Sequence, residues 1–590
     1  MQDTIAEHLS ERAAYNVRRW LDEPKYHEYR AELETMIDDE RWSELEDAFF
    51  TQLEFGTAGI RGVTGIGSAR VSKVTIAEAT QALCLHARDI DPDATQRGIV
   101  IACDTRLTSD EFSKIAAAVC AGNGFKAHLF DGFRSTPELS FAVRHLKASA
   151  GIVISASHNL PADNGFKAYM SDGAQLVAPH DRAVIDHVNS IAEIHTADFD
   201  ESVSTGLISM VGKDIDEAYY AAVLGQAQSD VRDLSIVYSP LHGAGQRNTL
   251  PILTMAGFSV KTVDRQMTPD GNFPSVENNK PNPEERAAND LAVALMMSES
   301  ADIAITNDPD ADRIGVVVRQ GEEPKYLSGN QSAALATEYS LSKLAASGEM
   351  SDAHYIAKTI VTTDMLDAIA ERYGAKVYGD MLIGFKYIGE LLLTKEATEE
   401  KFVIGGEESY GLLKGDYARD KDGAVGALVL AEYAAELKAE GKTLYDRLME
   451  MYMEYGTHCE RLDNILCPGA KGFEQMAAIM EMLRSTPPSS VGSHRVTAVS
   501  DYKTLKRQSG GEESDLTCPV KGDIIVLEFG DRRRRITVRP SGTEPKLKLY
   551  AQWWQPVSSN DTRRVEAEYE ELEDMLTGLS KELEGVLLSV

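Results

Sequence analysis

GIVISASHNLPADNGFKAY, residues 151–169, decides how the rest of the chain is read. It opens with a short, unbroken apolar run, breaks into small polar residues at Ser155 to Ser157, turns through Asn and Pro, and resumes at FKAY. A continuous apolar run of this length, closed by turn chemistry, is the pattern of a strand buried on both faces. Such strands belong to parallel sheets covered by helices. Ser157 and His158 then fall just beyond the strand's carboxyl end, where open α/β sheets hold their ligands.

The same rhythm extends in both directions. GIVIAC (98–103) precedes a helical pattern at 109–122, and KAHLF (126–130) precedes another. It restarts at LSIVYS (234–239), FSVKTV (258–263) and ADIAITN (301–307), and again at HYIAKTI (354–360), AKVYG (375–379) and KFVIGG (401–406). Strand–helix alternation of this kind predicts three similar mixed α/β domains with mostly parallel sheets. Residues 1–50 read as helices, with apolar residues at three- and four-residue spacing. Near the end, strands at 494–500, 523–529, 534–539 and 547–553 crowd together before an acidic helix at 560–586, which predicts a C-terminal α+β domain. The expected boundaries are 1–230, 231–328, 329–457 and 458–590. SGGEESDL (509–516) reads as a flexible polar loop, and the run Arg532 to Arg535 as a turn entering a strand.

The chain has 590 residues, 43% hydrophobic and 26% charged, as expected of a globular protein with several cores. Its N-terminus is charged from the third residue, which argues against a signal peptide, and no stretch reaches the roughly 20 apolar residues of a membrane span. Six cysteines without a paired spacing fit a reducing compartment, so the expected location is the cytoplasm. A net charge of −33 disfavours nucleic acid and anionic membranes as general partners and reads as a solvated surface, with a saline habitat left open. An anionic substrate would require clustered Arg and Lys to reverse that field locally.

Five motifs carry chemistry. In the first, a loop-borne Ser157 beside His158, with Lys167 downstream, lacks the features of a hydrolase triad or nucleophile elbow and suits a phosphate carrier. The second, NDPDADRIG (307–315), sets Asp308, Asp310 and Asp312 at alternate positions after an apolar run. Carboxylates that converge repel unless a hard cation lies between them, and magnesium takes carboxylates together with a phosphate oxygen. A calcium loop is excluded, because Arg313 and Arg319 stand where its glycine and glutamate belong. The third, GTAGIRG (56–62), surrounds Arg61 with glycines that allow close approach of an anion. The fourth, GGEESYG (405–411), offers Glu407 and Ser409 to sugar hydroxyls. The fifth, RPSGTEPKLKLY (539–550), has the composition of a phosphate nest in Arg539, Ser541, Gly542, Thr543 and Lys548.

Taken in order, these motifs resemble the α-D-phosphohexomutase family over about residues 50–550, and SPLHGAG (239–245) with KPNPE (280–284) resembles its phosphoglucomutase–phosphopentomutase branch. The resemblance implies four domains around a central cleft, and a small-molecule phosphosugar as substrate. It implies interconversion of glucose 1-phosphate and glucose 6-phosphate, or of mannose phosphates, with Mg2+ as metal and glucose 1,6-bisphosphate as activator and intermediate. By motif, Ser157 would carry the phosphoryl group and join Asp308, Asp310 and Asp312 as a metal ligand. Arg61, His158, Lys167 and Arg313 would surround the phosphoryl group, and Lys421 of ARDKDG (418–423) would approach the reacting hydroxyl. Glu407 and Ser409 would read sugar hydroxyls, and Arg539, Ser541, Gly542 and Thr543 would grip the second phosphate. Leu160 inside the serine motif and MLIGFKY (381–387) depart from the family pattern at positions able to alter sugar preference. A phosphopentomutase, a glucose-1,6-bisphosphate synthase, a non-catalytic phosphosugar-binding regulator and an aspartyl-nucleophile phosphatase are the competing readings. Monomer and homodimer both remain open.

Overall fold

The computed structural model describes residues 2–53, 59–467, 472–541 and 545–589. The first sheet orders its six strands Ile60–Val63, Asp163–Met170, Ala150–Ile154, Ile99–Cys103, Ala127–Phe130 and Ile208–Val211. The last four run parallel, and Asp163–Met170 is antiparallel to both of its neighbours. Every residue of Ile99–Cys103 and Ala150–Ile154 is buried, which is why both read as unbroken apolar runs. Their carboxyl ends lie side by side, Cys103 opposite Ile154, and so bring the loops that follow them together.

The second sheet places Ile303–Asn307 beside parallel Ser235–Ser239, with Ile314–Gln320 antiparallel on its other side. The third pairs His354–Lys358 with Lys401–Gly406 in parallel. These three sheets share one apolar cluster that runs from Val100 through Tyr238, Ile305 and Ile356 to Leu448. At its centre lies the helix Gly423–Ala439, buried over most of its length, and a helix apolar on all sides is a core helix.

The C-terminal sheet is antiparallel, seven strands from Thr457–Leu466 to Glu512–Asp515, and packs with the helices Gly472–Ser485 and Thr562–Leu587 around its own core. Two expectations change here. The stretch 509–516 is part of a β-hairpin rather than a flexible loop: Lys506–Ser509 pairs with Glu512–Asp515 across Gly510 and Gly511, both at positive φ. Its residues look loop-like because both strands lie at the sheet margin, where little is buried. Thr457–Leu466 is a ten-residue strand that its charged residues (Glu460, Arg461 and Asp463) concealed. The arginine run lies inside the strand Asp531–Pro540, and the turn expected there falls earlier, at Gly530. Among the described residues, no helix is long and apolar enough to cross a membrane.

Candidate active site

Ser157 sits after Ala150–Ile154 with φ +53°, a left-handed conformation that costs a non-glycine residue about 1–2 kcal/mol. Its neighbours hold it there. Its N–H donates to Ser155 Oγ (2.8 Å), and its carbonyl accepts from Arg106 Nη2 (2.5 Å). The hydroxyl donates to Asp308 Oδ2 at 2.6 Å and lies 3.2 Å from His158 Nδ1. The serine loop of the first domain therefore meets the aspartate loop of the second.

That second loop leaves Ile303–Asn307 and turns at Ala311, φ +54°. Asp308, Asp310 and Asp312 are buried and bring ligand oxygens within 4.8 Å of one another. The SPLHGAG loop braces them from behind: Ala244 N–H donates to the Pro309 carbonyl at 2.7 Å. Gly243 has to be glycine, since a Cβ there would stand 2.3 Å from Pro309 Cα. Thr136 Oγ1 donates to Asp310 Oδ2 at 2.6 Å. Lys167 Nζ lies 2.5 Å from Asp310 and 3.5 Å from Asp312, and Lys421 Nζ lies 3.2 Å from Asp312 and 3.1 Å from Asp420.

Burial, then the charges of Asp312 and Asp310, push the Asp308 carboxyl well above its ordinary range. Burial pushes Asp310 the same way, but the Lys167 ammonium overrides it and holds that carboxyl low. Asp310 Oδ1 and Asp312 Oδ1 are buried and accept no hydrogen bond. Three buried carboxylates with two such oxygens have the donor set that a hard divalent cation takes.

Arg313 reaches outward to Glu284 of KPNPE (2.6 Å), while its N–H donates to Asp308 Oδ1. Arg61 donates to Asn159 Oδ1 at 3.2 Å. Burial, reinforced by Arg313 and Arg61, pulls the His158 pKa far below its ordinary value, so the ring is neutral. Glu407 is buried 3.9 Å from Lys421, and its loop is tied to the aspartate strand by the Ile314 N–H donated to the Tyr410 carbonyl. Burial raises the Glu407 carboxyl, and burial followed by Glu407 pushes Glu408 up to about 7. Ser409 is half-buried on the same loop.

Arg539 lies near the end of Asp531–Pro540, opposite Lys548, and Ser541 N–H closes the turn onto the Lys546 carbonyl. Burial and then Arg539 depress the Lys548 ammonium, against which the Glu408 charge acts. Gly542 and Thr543 lie outside the described residues, as do Gly56, Thr57 and Ala58.

The structure thus gathers buried Ser157, the aspartates, Lys167, Lys421 and Glu407 with half-buried His158, Arg61 and Arg313, while Arg539 lies near the end of the C-terminal strand Asp531–Pro540 and Ser541 just past it. Leu160 points into solvent, half exposed, and Leu382 packs with Tyr502 and Cys518 of the C-terminal domain. Sequence reading missed Arg106, Thr136 and Glu284. Arg106 had a signal, because DTR (104–106) follows the strand Ile99–Cys103 and so falls beside the serine loop.

Models of phosphoglucomutase/phosphomannomutase α/β/α domains I, II and III match residues 52–195, 217–321 and 328–455. A phosphoglucomutase of Staphylococcus haemolyticus is 35% identical over 514 residues, covering 86% of this chain and 91% of its own. The chain belongs to the α-D-phosphohexomutase family. A Staphylococcus aureus phosphoglucomutase is 34% identical over 519 residues, covering 87% of this chain and 92% of its own. The open form of Paramecium parafusin (phosphoglucomutase) shares the fold with a TM-score of 0.63 at 17% identity, covering 90% and 96% of the two chains. The protein is accordingly a phosphosugar mutase of this family, an isomerase acting on a small molecule.

Proposed function

We propose that this phosphohexomutase interconverts α-D-glucose 1-phosphate and glucose 6-phosphate through a phosphoserine at Ser157. The observation that carries the reading is the 2.6 Å contact between Ser157 Oγ and Asp308, beside aspartates that Lys167 and Lys421 pair with. Relatives named phosphoglucomutase at 34–35% identity over nearly the whole chain support glucose as the sugar.

Ser157, Asp308, Asp310 and Asp312 would hold Mg2+, which when bound supplies positive charge for the oxygens of the transferring phosphoryl group. A sugar hydroxyl attacks phosphorus, the bond from phosphorus to Ser157 Oγ breaks, and of the candidate bases Lys167, His158 and Lys421 the neutral His158 ring takes the hydroxyl proton, since neighbouring carboxylates outweigh burial and keep both lysines as ammonium. The product of this half-reaction is glucose 1,6-bisphosphate. It turns over in the cleft and returns its other phosphate to Ser157. Arg61 and Arg313 offset the negative charge that repels an incoming anion. Glu407 and Ser409 read hydroxyls in both orientations, while Arg539, Ser541, Gly542 and Thr543 grip whichever phosphate is not reacting. The acidic surface keeps these cations as the local exception that binds anions. All six cysteines are free, which fits a reducing cytoplasm.

Wild type supplied with glucose 1-phosphate, Mg2+ and a trace of glucose 1,6-bisphosphate is expected to form glucose 6-phosphate, and Ser157→Ala is not. Equal rates in both proteins would remove Ser157 from the reaction.

A further inference from the structure

The serine loop has no regular secondary structure of its own between Ile154 and Asp163, and Ser157 stands at its strained point. A phosphoryl carrier on an unsupported loop would misplace Oγ, and displacements near 1 Å cost about a hundredfold in rate. Something has to fix this backbone, and one side chain contacts it throughout.

Arg106 is 3% exposed, and its two terminal nitrogens donate to four carbonyls of the loop. Nη2 reaches Ser157 O at 2.5 Å and Asn159 O at 2.7 Å, and Nη1 reaches Leu160 O at 2.7 Å and Asp163 O at 2.9 Å. The remaining nitrogen, Nε, lies 3.2 Å from Asp104 Oδ2. Asp104 is itself fixed: its Oδ1 accepts from Ser109 Oγ at 2.6 Å and from Arg106 N–H at 2.9 Å, and its N–H donates to the Ile154 carbonyl. The guanidinium face lies 5.2 Å from the centre of the Phe273 ring, which comes from the second domain. A planar fork with donors in fixed directions can satisfy four carbonyls at once, whereas a lysine ammonium is a point with three rotatable donors.

We propose that Arg106 is the positioning residue of the phosphoryl carrier: it holds the left-handed Ser157 backbone so that Oγ faces Asp308. Arg106 acts through the loop carbonyls and touches no substrate. The inference rests on Ser157 being the carrier. It follows that the geometry of transfer depends on Arg106, while sugar affinity, which is set by groups on the third and fourth domains, does not.

The test compares Arg106→Lys and Arg106→Ala with wild type in kcat, KM for glucose 1-phosphate and thermal midpoint, with and without millimolar guanidinium. Arg106→Ala is expected to lose about a hundredfold or more in kcat with KM within threefold, and free guanidinium to restore at least tenfold of it. Arg106→Lys is expected to fall between the two and to be insensitive to guanidinium. Should Arg106→Ala fail to fold, Arg106→Lys still decides: kcat within threefold of wild type overturns the proposal. Loss of kcat in parallel with raised KM and a collapsed midpoint, unrescued by guanidinium, overturns it in favour of a purely structural role. Labelling wild type with radioactive glucose 1,6-bisphosphate separates the two readings, because absence of label on Ser157 refutes the carrier itself, whatever Arg106 does.

Discussion

The first three domains and the C-terminal domain are joined to the rest of the molecule by different physics. The first three share one continuous apolar core around Gly423–Ala439, and their catalytic loops interlock through buried contacts, with Ser157 on Asp308 and Lys167 on Asp310. The C-terminal domain has a core of its own and enters the shared one through Val565 of its last helix. Its link to the third domain includes a small apolar cluster and some polar contacts. Arg535 forks onto Asp364 at 2.5 and 3.0 Å, Tyr502 reaches Asp380 at 2.8 Å, and Trp554 Nε1 reaches the Tyr455 carbonyl at 2.9 Å. Beside these contacts lies a cavity of about 920 Å³, lined by Lys358, Asp364, Tyr387, His458 and Tyr502. Polar, loosely filled domain boundaries permit relative motion, whereas a shared core does not. The serine and aspartate loops thus sit in a rigid block, and the strand Asp531–Pro540 sits on a jointed part. A cleft built this way can open to let a bisphosphate turn over and still keep Ser157 in place.

Substitutions on the two sides should therefore separate chemistry from docking. The largest effect is expected for Asp308→Asn, with turnover down about a thousandfold, about 4 kcal/mol of transition-state stabilisation. The metal-free variant should melt no lower than wild type, because one of three mutually repelling buried carboxylates is gone. A lower midpoint would mean that the aspartate loop holds the rigid block together.

Next comes Asp364→Ala, which strips Arg535 of its carboxylate and leaves Lys358 with Asp367 alone; loss of one partner of a largely buried ion pair costs about 3–5 kcal/mol. An early calorimetric transition for the C-terminal domain is expected, with KM raised more than kcat is lowered. A single unshifted transition would show the two parts to be one cooperative unit.

The smallest effect concerns His458, at the same boundary. Burial depresses its pKa from 6.5 to about 4, and Nδ1–H donates to the Gly456 carbonyl. The unfolded chain takes up a proton below pH 6.5 that the folded protein refuses. The stability this neutral ring contributes is present above pH 6.5 and is lost as pH falls toward 4, by about 3 kcal/mol in all. Denaturant melts of His458→Gln should show a shallower acid slope than wild type. Parallel slopes would locate the acid sensitivity elsewhere.

Strand runs such as GIVIAC, GIVISAS and ADIAITN were legible because a strand buried on both faces has to be apolar at every position, which leaves no competing pattern. Thr457–Leu466 and the 506–515 hairpin were not, because one exposed face lets charge and glycine in. Among site residues, Ser157 and the aspartates announced themselves by spacing within one loop. Glu284, Thr136 and Arg106 did not, since each acts on a group at least 29 residues away in the chain.

The sequence by itself determined the alternation of strands and helices, the motifs at strand ends and the types of side chain each motif offers, because these depend on neighbours a few positions apart. Only the tertiary structure decided that Ser157 meets Asp308, that Lys167 and Lys421 divide the aspartates between them, and that one arginine binds four carbonyls of the serine loop. It also decided which domain boundary is a core and which is a joint. Those outcomes turn on distances between residues far apart in the chain, and on burial, which sets the strength of each charge only after the domains have packed.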